Sequence, residues 1–130
     1  MKNPYRSIET RVLDVITETP SIKTFVLEPQ EELTFKPGQF MEFSVPGVGE
    51  APFTPSSDSH DQDKMEITIV KVGKVTDAIH ALKPGDTVGL RGPLGQGYPM
   101  TKFIGHDVII VGGGVGLAPI RTLMHGLYPM

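Results

Sequence analysis

Within the first hundred residues, several short stretches place apolar side chains at every second position. Met41, Phe43 and Val45 alternate with Phe40, Glu42 and Ser44, and Met65, Ile67 and Ile69 alternate with Glu66, Thr68 and Val70. Val88 and Leu90 repeat the pattern between Thr87 and Arg91. A period of two puts successive side chains on opposite faces and predicts strands with one face buried. Arg11–Glu18 and Ile22–Glu28 are rich in β-branched residues and flank Thr19-Pro20-Ser21, which predicts a hairpin whose second strand Pro29 closes. Lys36-Pro37-Gly38-Gln39 and Lys83-Pro84-Gly85-Asp86 read as turns into the next strands, and Gly47-Val48-Gly49 as a loop before a short run from Phe53 to Ser57. Ser57–Lys64, with three aspartates and a histidine, reads as a solvated loop. Only Thr76–Leu82 has a helical pattern here, with Thr76 as N-cap and Ile79 and Leu82 facing inward. Five or six short strands and one short helix predict a mainly β fold, a small antiparallel Greek-key barrel.

The pattern changes near Lys102. Val108-Ile109-Ile110-Val111 is continuously apolar, as in a strand buried on both faces of a parallel sheet. Four glycines follow within five residues, and Leu117, Ile120, Leu123, Met124 and Leu127 then share a helical face. Strand, glycine loop and helix form the first unit of an α/β nucleotide-binding domain. This divides the chain into a barrel over 1–103 and a nucleotide-binding piece over 104–130. In Gly112-Gly113-Gly114-Val115-Gly116-Leu117-Ala118-Pro119, glycines let a pyrophosphate approach the backbone and allow positive φ, while the helix dipole favours the anion. Pro119 falls in the first helical turn, where its missing N–H is no loss. The spacing differs from G-x-G-x-x-G because Leu117 holds the third glycine position, so spacing alone leaves a structural tight turn open.

Composition narrows the classes. A hydrophobic fraction of 38% with 21% charged residues belongs to a folded globular chain of 130 residues. A net charge of −3 gives no pull toward nucleic acid or an anionic membrane. The absence of cysteine rules out disulfides, thiolate catalysis and cysteine-ligated zinc or iron–sulfur centres within this sequence. The stretch from Met1 to Glu9 lacks the apolar run of a secretion signal, and no segment approaches the ~20 apolar residues of a membrane span. A cytoplasmic setting is the expectation. His60, His80, His106 and His125 are scattered without ligand spacing, so no metal is expected, and no nucleophile triad or paired carboxylates stand out.

Val108–Pro119 resembles the start of the nicotinamide-binding domain in the ferredoxin–NADP reductase superfamily, where an apolar strand runs into a G-G-x-G-[IL]-A-P loop. Three further segments follow that family's order. Phe35-Lys36-Pro37-Gly38-Gln39-Phe40 is similar to its F-x-P-G-Q-[FY], Leu82–Val88 to its L-K-x-G-D-x-V turn, and Arg91-Gly92-Pro93-Leu94-Gly95 to the G-P-x-G leading out of the barrel. The stretch Glu50–Ser57 resembles hydrogenase or sulfhydrogenase gamma subunits, the electron-passing subunit of anaerobic sulfite reductase and the dihydroorotate dehydrogenase electron-transfer subunit.

The family's R-x-Y-S falls on Ala51, Phe53 and Thr54. The resemblance implies that Phe53 offers a flat face to the isoalloxazine and that Thr54, the catalytic candidate, reaches the flavin's redox nitrogen. Ala51 brings no charge where the family has a phosphate-binding arginine, which leaves FAD with FMN as the alternative. The family's G-x-x-[ST] falls on Gly73-Lys74-Val75-Thr76, a pyrophosphate cradle at a helix start to which Lys74 adds charge; for Thr76 the plain alternative is a helix cap. Gly112, Gly113, Gly114, Gly116 and Pro119 would hold the dinucleotide. Arg91 stands equally as a surface residue or a phosphate contact, and Phe40 and Phe43 read as barrel core.

The resemblance implies an oxidoreductase component that takes electrons from NAD(P)H through a flavin to an iron–sulfur partner subunit. It also implies that the nicotinamide half is represented only by its opening unit, so this fragment alone is expected to be nearly inactive with NAD(P)H. The competing reading is a flavin-free barrel that only docks onto a larger oxidoreductase. The helix from Leu117 would expose a face, which predicts self-association through it or a loose C-terminus.

Overall fold

The computed structural model describes residues 6–61 and 63–128. Six strands are present: β1 (Ile8–Thr19), β2 (Ile22–Pro29), β3 (Phe40–Val45), β4 (Gly49–Phe53), β5 (Met65–Val70) and β6 (Thr87–Leu94). Two α-helices accompany them, α1 (Lys74–His80) and α2 (Leu117–Leu127). The strands lie in the order β4-β3-β6-β1-β2-β5, and every neighbouring pair is antiparallel. β4 and β5, at the two ends of that order, meet through the chain that follows β4. Ser56 N–H donates to Glu66 O at 2.8 Å, and Glu66 N–H donates to Ser57 Oγ at 3.0 Å. This draws the sheet into a barrel and covers backbone groups that open edges would expose.

The alternating residues form the core. Met41 and Phe43 of β3, Met65, Ile67 and Ile69 of β5, and Val88 and Leu90 of β6 are buried together with Val12, Phe25 and Leu27. Phe43 meets Phe25 and Phe53 edge to face, at ring separations of 6.5 and 6.2 Å, which is favourable for rings with negative faces and positive edges. The β1–β2 hairpin closes at Thr19↔Ile22, with Pro20-Ser21 as the turn.

Two local expectations are corrected. β4 runs from Gly49 to Phe53, so Gly49, read as the end of a loop, begins a strand that takes in Glu50–Pro52, and Thr54–Ser57 lie beyond it. Gly49, at φ +146°, supports a tight turn after Val45 that recruits a stretch with no alternation of its own. Pro52 is tolerated because β4 is an outer strand of the sheet. α1 begins at Lys74 behind Gly73, and Thr76 is therefore its third residue rather than its N-cap. The Thr76 hydroxyl accepts from the N–H groups of Val72 and Gly73, at 2.8 Å each, and donates to Gly73 O at 3.0 Å. Buried His80 fastens the other end of α1 to the barrel, its Nε2–H donating to Ile69 O at 2.8 Å.

Beyond β6 the expected parallel strand is not formed. Val108–Val111 carries no strand pairing among the described residues, and Ile109 and Val111 are 89% and 84% exposed. A strand of a parallel sheet draws its stability from neighbouring strands, and no other described strand pairs with this segment. A short 3-10 turn over Gly114–Gly116 then leads into α2. α2 seats on the barrel by Thr122, Leu123 and Gly126, while Leu117 and Met124 stay exposed. Of the predicted apolar stripe, Leu123 is the buried member. Where Gly126 lies, a side chain would meet Pro37 Cγ and Met100 Cε at about 3 Å, so the absence of one lets the helix approach.

Candidate functional site

The candidate residues are joined by a chain of local contacts. It starts at the N-terminus of α1, follows β4, and passes through Thr54–Ser57 to α2 and the glycine loop. Val75 of α1 lies against Gly49 at the start of β4. The first N–H groups of a helix have no partner four residues back, so those of Lys74, Val75 and Thr76 are the donors this end offers. Lys74 is exposed beside them and makes no ion pair among the described residues. Thr76 contributes its side chain to the turn rather than to the outside.

Along β4 the register is Val45↔Gly49, Phe43↔Ala51 and Met41↔Phe53, so Ala51 and Phe53 share the face of buried Phe43. Phe53 is half-buried, packed against the core and perpendicular to the Phe43 ring. On the opposite face, Arg91 of β6 reaches across β3 to Glu50 of β4, 3.0 Å away, with its side chain 19% exposed. Sequence left Arg91 between two roles, and the geometry gives it an ion pair that straps β4 to β6. Phe43 is barrel core, and Phe40 lies half-buried against Gly95.

Thr54 is half-buried and follows β4 directly. Its neighbours Pro55, Ser56 and Ser57 are buried, and α2 grips them: Thr122 Oγ1 donates to Pro55 O at 2.7 Å. Arg121 Nη1 lies 3.1 Å from Glu66 Oε2, the same Glu66 whose backbone holds Ser56 and Ser57. Glu66, Arg121 and Thr122 were not singled out from sequence. The alternation of β5 marked Glu66 only as an outward position, and Arg121 and Thr122 lie off the apolar stripe of α2.

Between the barrel and the glycine loop lies a crevice of about 490 Å3, lined by Ile16, Ile22, Ser56 and Thr68 on one side and by Gly114 and Leu117 on the other. In the loop itself only Gly114 has a left-handed backbone, at φ +58°. A side chain at Gly112 would meet Ile120 and Leu117, whereas Gly113 and Gly116 face open space. Pro119 is the third residue of α2. Toward a flavin, Phe53 offers a half-buried ring and Thr54 a half-buried hydroxyl, and neither lines the crevice. At the phosphate end the candidate residues offer N–H donors and Lys74, without a free arginine. Among the described residues no group of three His, Asp or Glu side chains is placed to hold a metal, and no helix is long and apolar enough to cross a membrane.

Residues 10–98 match the family described as "Oxidoreductase FAD-binding domain". The chain is 41% identical over 133 residues to sulfhydrogenase 1 subunit gamma of Pyrococcus furiosus, covering 98% of this chain and 45% of that protein. It is 42% identical over 118 residues to a probable dihydroorotate dehydrogenase B (NAD(+)), electron transfer subunit, of Methanocella arvoryzae, covering 91% of this chain and 42% of that one. The chain thus spans less than half the length of these curated relatives. Among solved structures, the Amycolatopsis reductase GcoB superposes with a TM-score of 0.84 at 28% identity, over 95% of this chain and 39% of that one.

Proposed function

The chain belongs to the oxidoreductase FAD-binding domain family, and from that premise we propose that it holds FAD for electron transfer between NAD(P)H and an iron–sulfur partner subunit. One observation carries this reading: β4 joins the α1 N-terminus at one end to Thr54 and the glycine-loop helix at the other. Its five residues span roughly 17 Å at about 3.3 Å each, room for a dinucleotide laid lengthwise. Lys74 and the N–H groups of residues 74–76 hold the pyrophosphate, with Gly73 leaving the approach open. Phe53 lies against the ring, and Thr54 directs its hydroxyl to the redox-active nitrogen. A bound flavin supplies the conversion of two-electron to one-electron chemistry, and the chain orients it and limits water around it.

Residues 1–103 form the flavin-binding barrel in this proposal. Residues 104–130 are a piece of the nucleotide-binding domain, in which Gly112, Gly113, Gly114, Gly116 and Pro119 receive the dinucleotide. The names of the two relatives, a hydrogenase gamma subunit and an electron-transfer subunit, support a partner subunit as electron acceptor. Titrating FAD with the purified chain tests the reading. Quenched flavin fluorescence and a perturbed visible band are expected. Protein that stays colourless in excess FAD and leaves its fluorescence unchanged sinks it. The second reading, a flavin-free docking barrel, is favoured by Ala51 and by the engagement of Arg91 with Glu50, and that negative result would select it.

A further inference from the structure

Three elements converge on Glu66. Its backbone O accepts from Ser56 N–H at 2.8 Å, its N–H donates to Ser57 Oγ at 3.0 Å, and its carboxylate meets Arg121 of α2 at 3.1 Å. The next residue of α2, Thr122, is fully buried and donates to Pro55 O at 2.7 Å. The segment that follows Thr54 is thus held from one side by β5 and from the other by α2, and α2 is itself tied to β5. The exposed Arg121–Glu66 pair contributes little alone. The Thr122 bond is different. It is buried, and its loss leaves a buried carbonyl without a donor.

We infer that Thr122 is a positioning residue: by holding the Pro55 carbonyl it fixes the direction of the Thr54 hydroxyl and ties it to the helix that carries the glycine loop. This rests on the reading that Thr54 contacts the flavin. A backbone pinned on both sides keeps Thr54 in one orientation before the flavin arrives, so little ordering remains to be done on binding. α2 starts directly after Gly114–Gly116.

The test uses the full chain with FAD, read by the visible flavin band and by the flavin dissociation constant, with far-ultraviolet circular dichroism as the folding check. Thr122→Val keeps the shape and removes the donor. It is expected to shift the band in the same direction as Thr54→Val and to weaken FAD binding by roughly five- to tenfold, about the worth of one hydrogen bond. Thr122→Ser restores the wild-type band, and Thr122→Cys, a weak donor of similar size, falls between. Combining Thr122→Val with Thr54→Val adds almost nothing to the spectral change, because both act through one hydroxyl. Additive spectral changes overturn the inference, as does a band that does not follow donor strength from Ser through Cys to Val. If wild-type protein leaves the flavin unperturbed, the flavin reading falls and this inference with it. A perturbed wild-type flavin with an unchanged Thr122→Val spectrum overturns the inference alone.

Discussion

Single residues here owe their behaviour to backbone geometry as much as to side chains. The glycine loop makes this measurable. Gly114, at φ +58°, resists a Cβ through backbone strain although nothing crowds it, whereas Gly113 has an ordinary extended backbone and open space. Gly114→Ala is therefore expected to destabilise the fold by about 1–2 kcal/mol, and Gly113→Ala to change it by less than about 0.5 kcal/mol. Urea unfolding of the two variants checks the contrast, and equal effects would contradict it. Asp58 gives a second case. Its carboxylate accepts from the His60 backbone N–H at 3.0 Å and lies 3.0 Å from His60 Nδ1. The backbone hydrogen bond is the largest cause holding its pKa below the ordinary carboxylate value, with the His60 ring adding to it. Because the folded pKa is the lower one, the stabilisation is complete above the ordinary carboxylate pKa and is lost as pH falls through the depressed value. In His60→Ala the N–H remains, so an NMR titration should still place Asp58 below the usual range. A full return to the usual value would show that the ring, not the backbone, sets it.

At the level of elements, strands announced themselves and their edges did not. β3 and β5 were legible because Met41, Phe43, Met65, Ile67 and Ile69 alternate with residues that must stay wet. β4 was hidden: Gly49, Glu50, Ala51 and Pro52 have no strand signature, and pairing with β3 makes them one. Tertiary pairing overrides local propensity at such a place. The start of α1 shows the same limit at smaller range. Thr76 has the right chemistry for a cap, but its hydroxyl satisfies Val72 and Gly73 from inside the first turn. Thr76→Val leaves those two N–H groups without their acceptor, and a loss of about 1–3 kcal/mol in urea unfolding is expected. FAD affinity should fall with it, since Lys74 and Val75 present their N–H groups from the turn this hydroxyl holds. Unchanged stability would mean that water replaces the hydroxyl at no cost. The sequence nominates candidate residues where a motif is contiguous, as at Phe53-Thr54 and Gly112–Pro119. Glu66, Arg121 and Thr122 stayed hidden because their roles arise from three elements meeting across long sequence separations.

For the whole molecule, the question is which apolar surface the barrel leaves uncovered. Sequence pointed to the face of the C-terminal helix, but α2 spends one side of that helix on the barrel through Thr122, Leu123 and Gly126. The exposed apolar side chains include Leu117 and Met124 on α2, and Ile109 and Val111 on a segment that pairs with no strand among the described residues. An exposed, extended and apolar stretch with open backbone groups behaves as a free strand edge and invites pairing with another chain. Self-association of this chain is therefore expected to run through Val108–Val111 rather than through the buried side of α2. Ile109 and Val111 are two residues apart and project to the same side of an extended chain. Replacing both with lysine should abolish any concentration-dependent rise in sedimentation coefficient. It should leave the unfolding midpoint nearly unchanged, because neither side chain is buried. Leu123→Lys would do the reverse, loosening α2 from the barrel and lowering the midpoint without relieving association. A wild-type chain that sediments as a monomer at every concentration, or an association that survives the lysine pair, would show that this edge is not what holds copies together.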